Sequence, residues 1–209
     1  MDFVRRAPSC IKKKRGEEMA QRGAEPKKVI KEALLKAGEA LSEIIERRFN
    51  PAEISVTYHD PLELPSLPVD NPETLVAAAF YQVEGDLSGY LLLVFSTDEA
   101  EAIAQAVLGP EAADEALVDS ALGEIGNIVG SSFLNYLADY FSIYAAPTPP
   151  QVVRDMLGAL METLAAVAAA EGRTQVPVIR TTFAQEEGTV TAFLLWVTDV
   201  EDIRRLGSK

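Results

Sequence analysis

Three polar side chains at helical spacing are the first candidates for chemistry in this chain. Ser120, Glu124 and Asn127 lie in the stretch Leu117 to Phe141, LVDSALGEIGNIVGSSFLNYLADYF. At about 100° per residue they share, with Ser131, an arc of about 60° on one helix face. Val118, Leu122, Ile125, Val129, Phe133, Tyr136 and Tyr140 fall on the opposite side, the apolar stripe of an amphipathic helix. A carboxylate only accepts hydrogen bonds when ionised, whereas a carboxamide both donates and accepts without titrating. Next to this row runs a second one of Gly123, Gly126 and Gly130. Each glycine costs about 1 kcal/mol against alanine inside a helix, so something is expected to come close to the backbone there. On helix physics alone, glycines packed against a neighbouring helix are the commoner explanation.

Other familiar chemistry is missing from the sequence. His59 is the sole histidine and stands next to a loop, and Cys10 is the sole cysteine, so no Cys/His cluster offers itself to zinc. No GxxxxGK phosphate loop occurs. GEIGNIVG is not GxGxxG and sits within a helical pattern, which argues against a dinucleotide site. No GxSxG elbow is present, and one loop histidine is poor support for a triad. The loop 60–72 lacks the calcium-loop pattern. Met156 and Met161 read as core residues of an apolar helix.

The elements that must position the polar row follow from periodicity. Pro26 opens a helix with Val29, Ala33, Leu34, Ala37, Leu41, Ile44 and Ile45 on its apolar face, and Asn50-Pro51 is expected to end it. EISVTY (53–58) alternates as a half-buried strand, and the proline-rich segment 60–72 reads as loop. The runs 75–83 and 87–95, divided by Glu84-Gly85-Asp86, predict a hairpin. Thr97 is the expected N-cap of a short helix closed by Gly109-Pro110. After the long helix, 142–150 is extended. Pro150 would then open another helix over 151–172. A second hairpin, Val176 to Ala184 and Thr189 to Val197 across Glu187-Gly188, and a short helix from Asp199 to Leu206 complete the chain.

The two hairpins are copies. A displacement of 103 positions superposes Phe80 on Phe183, Gln82 on Gln185, Leu91 on Leu194 and Leu92 on Leu195. Each copy is preceded by a long amphipathic helix and followed by a short acidic one. The expected fold is α+β: one domain with an internal pseudo-twofold repeat (halves about 27–109 and 115–206), its long helices packed on a largely antiparallel sheet.

Charge and composition set outer limits. The 209 residues carry a formal charge of −13, but residues 1 to 28 hold nine Lys or Arg against four Asp or Glu. Residues 1–26 therefore read as a basic, disordered tail, and 27–209 as the folded part. The acidic body argues against nucleic acid as its partner. No apolar run reaches the roughly 18 residues of a membrane helix, no secretory signal pattern is present, and the lone cysteine makes cytoplasmic localisation the expectation.

Ser120-x3-Glu124-x2-Asn127, with Pro150 a further twenty-three residues on, resembles the signature of the CheC/CheX/FliY family of CheY-phosphate phosphatases. EIGNI and PPQVVRDMLGALMETL are also similar to CheC, and the resemblance extends over about 27 to 206. It implies a chemotaxis protein that hydrolyses the aspartyl phosphate of a CheY-type response regulator in two-component signalling. On that reading Asn127 orients the attacking water, and Glu124 pairs with a receiver lysine. Ser120 extends the row, Gly123, Gly126 and Gly130 leave room for the receiver backbone, and Pro150 shapes the adjoining segment. No cofactor of its own is implied, since the receiver supplies Mg²⁺. Further implied partners are a CheD-like receptor deamidase and, as in CheX-like members with one motif per chain, a second copy in a homodimer. The alternative is a non-catalytic adaptor of the chemotaxis and flagellar switch system. One departure stands out. Aligned on EALSEII, the first helix carries Lys28 and Lys31 where the motif has Glu and Asn, which implies one active face and one degenerate one.

Overall fold

The structure is a computed structural model that describes residues 28–46, 48–67, 71–185 and 191–206. The basic segment 1–26 and the Glu187-Gly188 turn lie outside the described residues. Residues 28–45 form helix α1, with the expected apolar positions buried except Ile44, which is half-buried. The helix stops before Asn50-Pro51 because Glu46 turns to a left-handed φ of 55°. Ser42 fixes the reversal: its hydroxyl donates to the Gly38 carbonyl (2.6 Å) and accepts from the Phe49 N–H (2.8 Å). Strand β1, Phe49–His59, thus begins earlier than expected and contains Pro51. It is an edge strand, where a missing N–H is tolerated.

The proline-rich segment after β1 is not all loop. Pro61–Ser66 is a 3₁₀ helix, started by Asp60, whose carboxylate accepts from the Leu62 N–H at 2.9 Å. The first hairpin is β2, Leu75–Gly85, and β3, Gly89–Ser96. Helix α2, Thr97–Leu108, is capped by Ser96 rather than Thr97: Ser96 and Glu99 form a reciprocal capping box. Helix α3 spans Glu115–Phe141. The single helix expected over 151–172 is two elements. Strand β4, Ala145–Pro147, is followed by β5, Gln151–Met156, and only then by helix α4, Leu157–Ala170. The β-branched Val152 and Val153 stand opposite Ala79 and Ala78 on β2, and this pairing overrides the helical pattern. Met161 is core as expected, but Met156, at the strand–helix junction, is exposed. The chain ends in β6, Val176–Gln185, β7, Thr191–Val197, and helix α5, Val200–Leu206.

All strand pairs are antiparallel, in the order β1-β6-β7-β3-β2, with β4 and β5 both on the outer edge of β2. Alternation along each strand feeds two cores. One lies between the sheet and α1, α2 and α3. The other lies between the opposite face, α4 and the 3₁₀ helix. The α+β architecture matches the sequence expectation.

Strand registers locate the pseudo-twofold axis. Leu92 faces Leu195, so β3 and β7 are related by the expected 103 positions. The first strands are not. Phe80 faces Leu92, but Arg180 faces Leu195, which makes Arg180 the counterpart of Phe80 and shortens the offset to 100. The second connection is longer, so Phe183 is not equivalent to Phe80. An odd slip reverses the face of every side chain. Phe80 accordingly packs toward α4, whereas Phe183 is buried beneath the long helices. At the axis α1 and α3 touch, the Ser132 hydroxyl donating to the Lys36 carbonyl (3.1 Å).

Candidate functional site

Asp114 starts α3 by accepting from the Ala116 and Leu117 N–H groups at 2.9 and 3.3 Å. The helix then presents the polar row on its outer side. Ser120 and Glu124 are exposed, while Asn127 and Ser131 are half-buried. Among the described residues, none hydrogen-bonds to or ion-pairs with the side chains of Glu124 or Asn127. Of the expected apolar stripe, Val118, Leu122, Ile125, Val129 and Phe133 are buried, but Tyr140 is 52% exposed.

The glycine row does not serve an external partner, and this corrects the expectation for Gly126 and Gly130. A Cβ at Gly126 would overlap the Ala79 methyl, and one at Gly130 would overlap the ring and hydroxyl of Tyr81. Both glycines are buried. They let α3 settle directly onto β2, a close approach that only a missing side chain permits. Tyr81 is 1% exposed, and burial pushes its phenol well above the ordinary tyrosine pKa. Its hydroxyl donates to the Gly126 carbonyl at 3.0 Å. That carbonyl belongs to the peptide bond leading into Asn127, so the sheet holds the candidate residue through its own backbone. Gly123 differs: a Cβ there would meet Val152 and Pro150 at 3.7 and 3.9 Å, ordinary contacts.

Pro150 is therefore brought against α3 beside Glu124, although it ends an extended segment instead of opening a helix. Two further residues escaped the sequence reading. Arg154 of β5 gives Nε and Nη2 to one carboxylate oxygen of Asp119 at 2.9 and 2.6 Å, with Glu115 3.8 Å away. A helical assignment for 151–156 hid this pair. The signal that could have found it is the pair of β-branched valines, 152 and 153, one residue beyond the double proline 149–150.

The α1 face is built differently. Lys28 and Lys31 are exposed where the second half has Glu124 and Asn127. The same 96-position offset puts Ile30 and Leu34, both buried, at the places of Gly126 and Gly130. The strand registers put Thr181 at the place of Tyr81 and Tyr58 at the place of Arg154.

Comparison with known proteins agrees with this arrangement. Residues 77–170, which include α3 and β5, match the family model described as "Chemotaxis phosphatase CheX". The chain is 33% identical over 92 residues to the CheY-P phosphatase CheC of Bacillus subtilis, a match that spans 41% of this chain and 44% of that protein's length. FliY of Thermotoga maritima shares the fold with a TM-score of 0.63 at 19% identity, over 87% of this chain and 93% of that one. A chain of the CheX–CheY–BeF₃–Mg²⁺ complex of Borrelia burgdorferi does so with a TM-score of 0.53 at 14% identity, over 79% and 96%. No helix among the described residues is long and apolar enough to cross a membrane. The family match over α3 and the curated relative make this part of the chain similar to the CheC and CheX phosphatases, and the solved structures share its sheet-and-helix fold.

Proposed function

We propose that the chain dephosphorylates a phosphorylated CheY-type response regulator, with Glu124 and Asn127 as the groups that meet it. The observation that carries this reading is the row itself. A carboxylate and a carboxamide, one helical turn apart and without partners among the described residues, face outward beside Pro150. The fold alone does not choose between a phosphatase and an adaptor; a half-buried Asn127 whose side chain has no partner among the described residues favours the phosphatase. The sequence relative is a CheY-P phosphatase, and one structure of similar fold is a CheX–CheY complex.

Hydrolysis of an aspartyl phosphate proceeds by in-line attack of water, and catalysis is mostly positioning and charge stabilisation. The receiver contributes the phosphoaspartate, Mg²⁺ and a lysine. The missing element is a group that holds the water in line. Asn127 supplies one donor and one acceptor for it without a proton to lose. Glu124, nearer the helix N-terminus, pairs with the receiver lysine, and Ser120 extends the contact. Phosphate release from a phosphorylated CheY-type receiver mixed with the purified chain tests the reading. Accelerated release supports it, and unchanged receiver lifetime contradicts it. Glu124→Lys should weaken docking by setting like charge against the lysine, with a defect that changes with ionic strength.

A further inference from the structure

The Arg154–Asp119 pair joins the two segments whose separation defines the site. Asp119 precedes Ser120 on α3, and Arg154 lies four residues after Pro150 on β5. Both nitrogen contacts converge on one carboxylate oxygen, with Arg154 29% and Asp119 36% exposed at the side chain. The pair also lies on the helix-covered side of the strand. Arg154 neighbours Val152 in the strand alternation, and Val152 packs against the core under α3. Around it the contacts are side-chain packing: a Cβ at Gly123 would meet Val152 and Pro150 at 3.7 and 3.9 Å, Val118 and Leu122 are buried, and Leu117 is 42% exposed. Deeper along α3 the Tyr81 hydrogen bond already fixes the Gly126–Asn127 peptide. The turns that carry Ser120 and Glu124 pack through buried Val118 and Leu122, but among the described residues the sheet sends no such hydrogen bond to their backbone.

The molecule contains its own control. In the first half, Tyr58 stands at the position of Arg154, and that half also has lysines in place of the site Glu and Asn. The pair thus occurs on the half that keeps the row and is missing its arginine on the half that lost it. An exposed ion pair contributes little to global stability, so stability alone does not account for a two-nitrogen contact here.

We infer that Asp119 and Arg154 are positioning residues that hold the Pro150 segment at a fixed distance from the Ser120–Glu124 end of the row, so that the receiver meets a preformed surface. The inference rests on the phosphatase reading for its kinetic consequence but not for its structural one. Removing either partner frees the docking end while leaving Asn127 anchored through Tyr81. The loss therefore falls on KM for the phosphorylated receiver, with kcat retained.

The test compares Asp119→Ala, Arg154→Ala and the charge-reversed double variant D119R/R154D with the wild-type chain, by steady-state receiver dephosphorylation and by amide hydrogen exchange. Each single variant should raise KM about tenfold, because misplacements on the order of 1 Å can cost up to about 10²-fold, and should speed exchange in residues 116–121 and 151–155. The double variant should restore both. Recovery in it separates positioning from direct contact, since an arginine that touched the receiver would not be replaced by an aspartate. A double variant as impaired as the singles, or singles with unaltered KM and unaltered exchange, would overturn the inference. If the wild-type chain fails to dephosphorylate any CheY-type receiver, the phosphatase reading falls, and the exchange pattern still decides the positioning claim: faster in the singles and restored in the double supports it, and unchanged exchange refutes it.

Discussion

The two halves of the molecule are built on one plan and packed by opposite choices. The second half's long helix, α3, is thin at the sheet, with Gly126 and Gly130, and the strand below it, β2 of the first half, is thick, with Tyr81. In α1 the equivalent helix positions carry Ile30 and Leu34, and the corresponding strand position, on β6 of the second half, carries Thr181, fully buried. Side-chain volume has moved from strand to helix across the pseudo-twofold axis. What differs in consequence is the attachment of the outer face. Among the described residues, α3 and not α1 receives a tyrosine hydroxyl from the sheet at its backbone, at the candidate catalytic residue. The helix with the backbone anchor also bears the carboxylate and carboxamide, whereas α1 bears Lys28 and Lys31.

The most disruptive way to break this comparison is to give the second helix a side chain of the first. Gly130→Ala drives a methyl into the Tyr81 ring, and overpacking of this kind costs about 1–3 kcal/mol. Thermal unfolding should show a clear loss. Combining Gly126→Ile and Gly130→Leu with Tyr81→Thr copies the packing under α1 and should be less destabilised than the sum of its parts. Contacting sites couple by about 0.5–3 kcal/mol, and strict additivity would show that the volume exchange is incidental.

A comparable effect is expected where the halves are tied together. Asp202 of α5 is 5% exposed and accepts from the Ser88 N–H and hydroxyl, both at 2.8 Å. Asp202→Ala leaves these donors without that acceptor, at about 1–3 kcal/mol, and denaturant titration reads the loss.

Tyr81→Phe is milder. It removes one buried hydrogen bond, about 1 kcal/mol. It also changes the alkaline limb. The folded phenol has a raised pKa, so stability is intact below the unfolded tyrosine value of about 10 and declines above it as the unfolded chain loses the proton. The variant should lose stability less steeply than wild type above about pH 10.

The smallest effect belongs to the degenerate face. Replacing Lys28 and Lys31 together by alanine should change receiver dephosphorylation less than twofold, about 0.4 kcal/mol in the barrier. A tenfold loss would bring the first helix back into the mechanism.

Sequence periodicity made the α+β plan, the repeat and the outward row legible, because amphipathic spacing and turn residues are local signals. Register was not legible. The sequence superposes Phe80 on Phe183, but hydrogen bonding across the sheet makes Arg180 the counterpart of Phe80, and a longer connection is invisible to residue matching. The glycines were seen as a demand for close approach, yet the sequence could not say that the approaching group is Tyr81 of the same chain. β5 was missed because Gln151–Met156 acquires its conformation from the edge of β2, a tertiary partner, and the Arg154–Asp119 pair was lost with it.

In the proposed mechanism Asn127 acts on the reacting water, whereas Glu124 acts on docking. The decisive measurement is the steady-state dephosphorylation of a CheY-type receiver by Asn127→Ala, resolved into kcat and KM. Alanine keeps good helix propensity, so the fold should persist. Loss of a positioning group that acts in the transition state should lower kcat on the order of 10²-fold with KM little changed. An Asn127→Ala chain that turns over the receiver as fast as wild type would contradict the assignment.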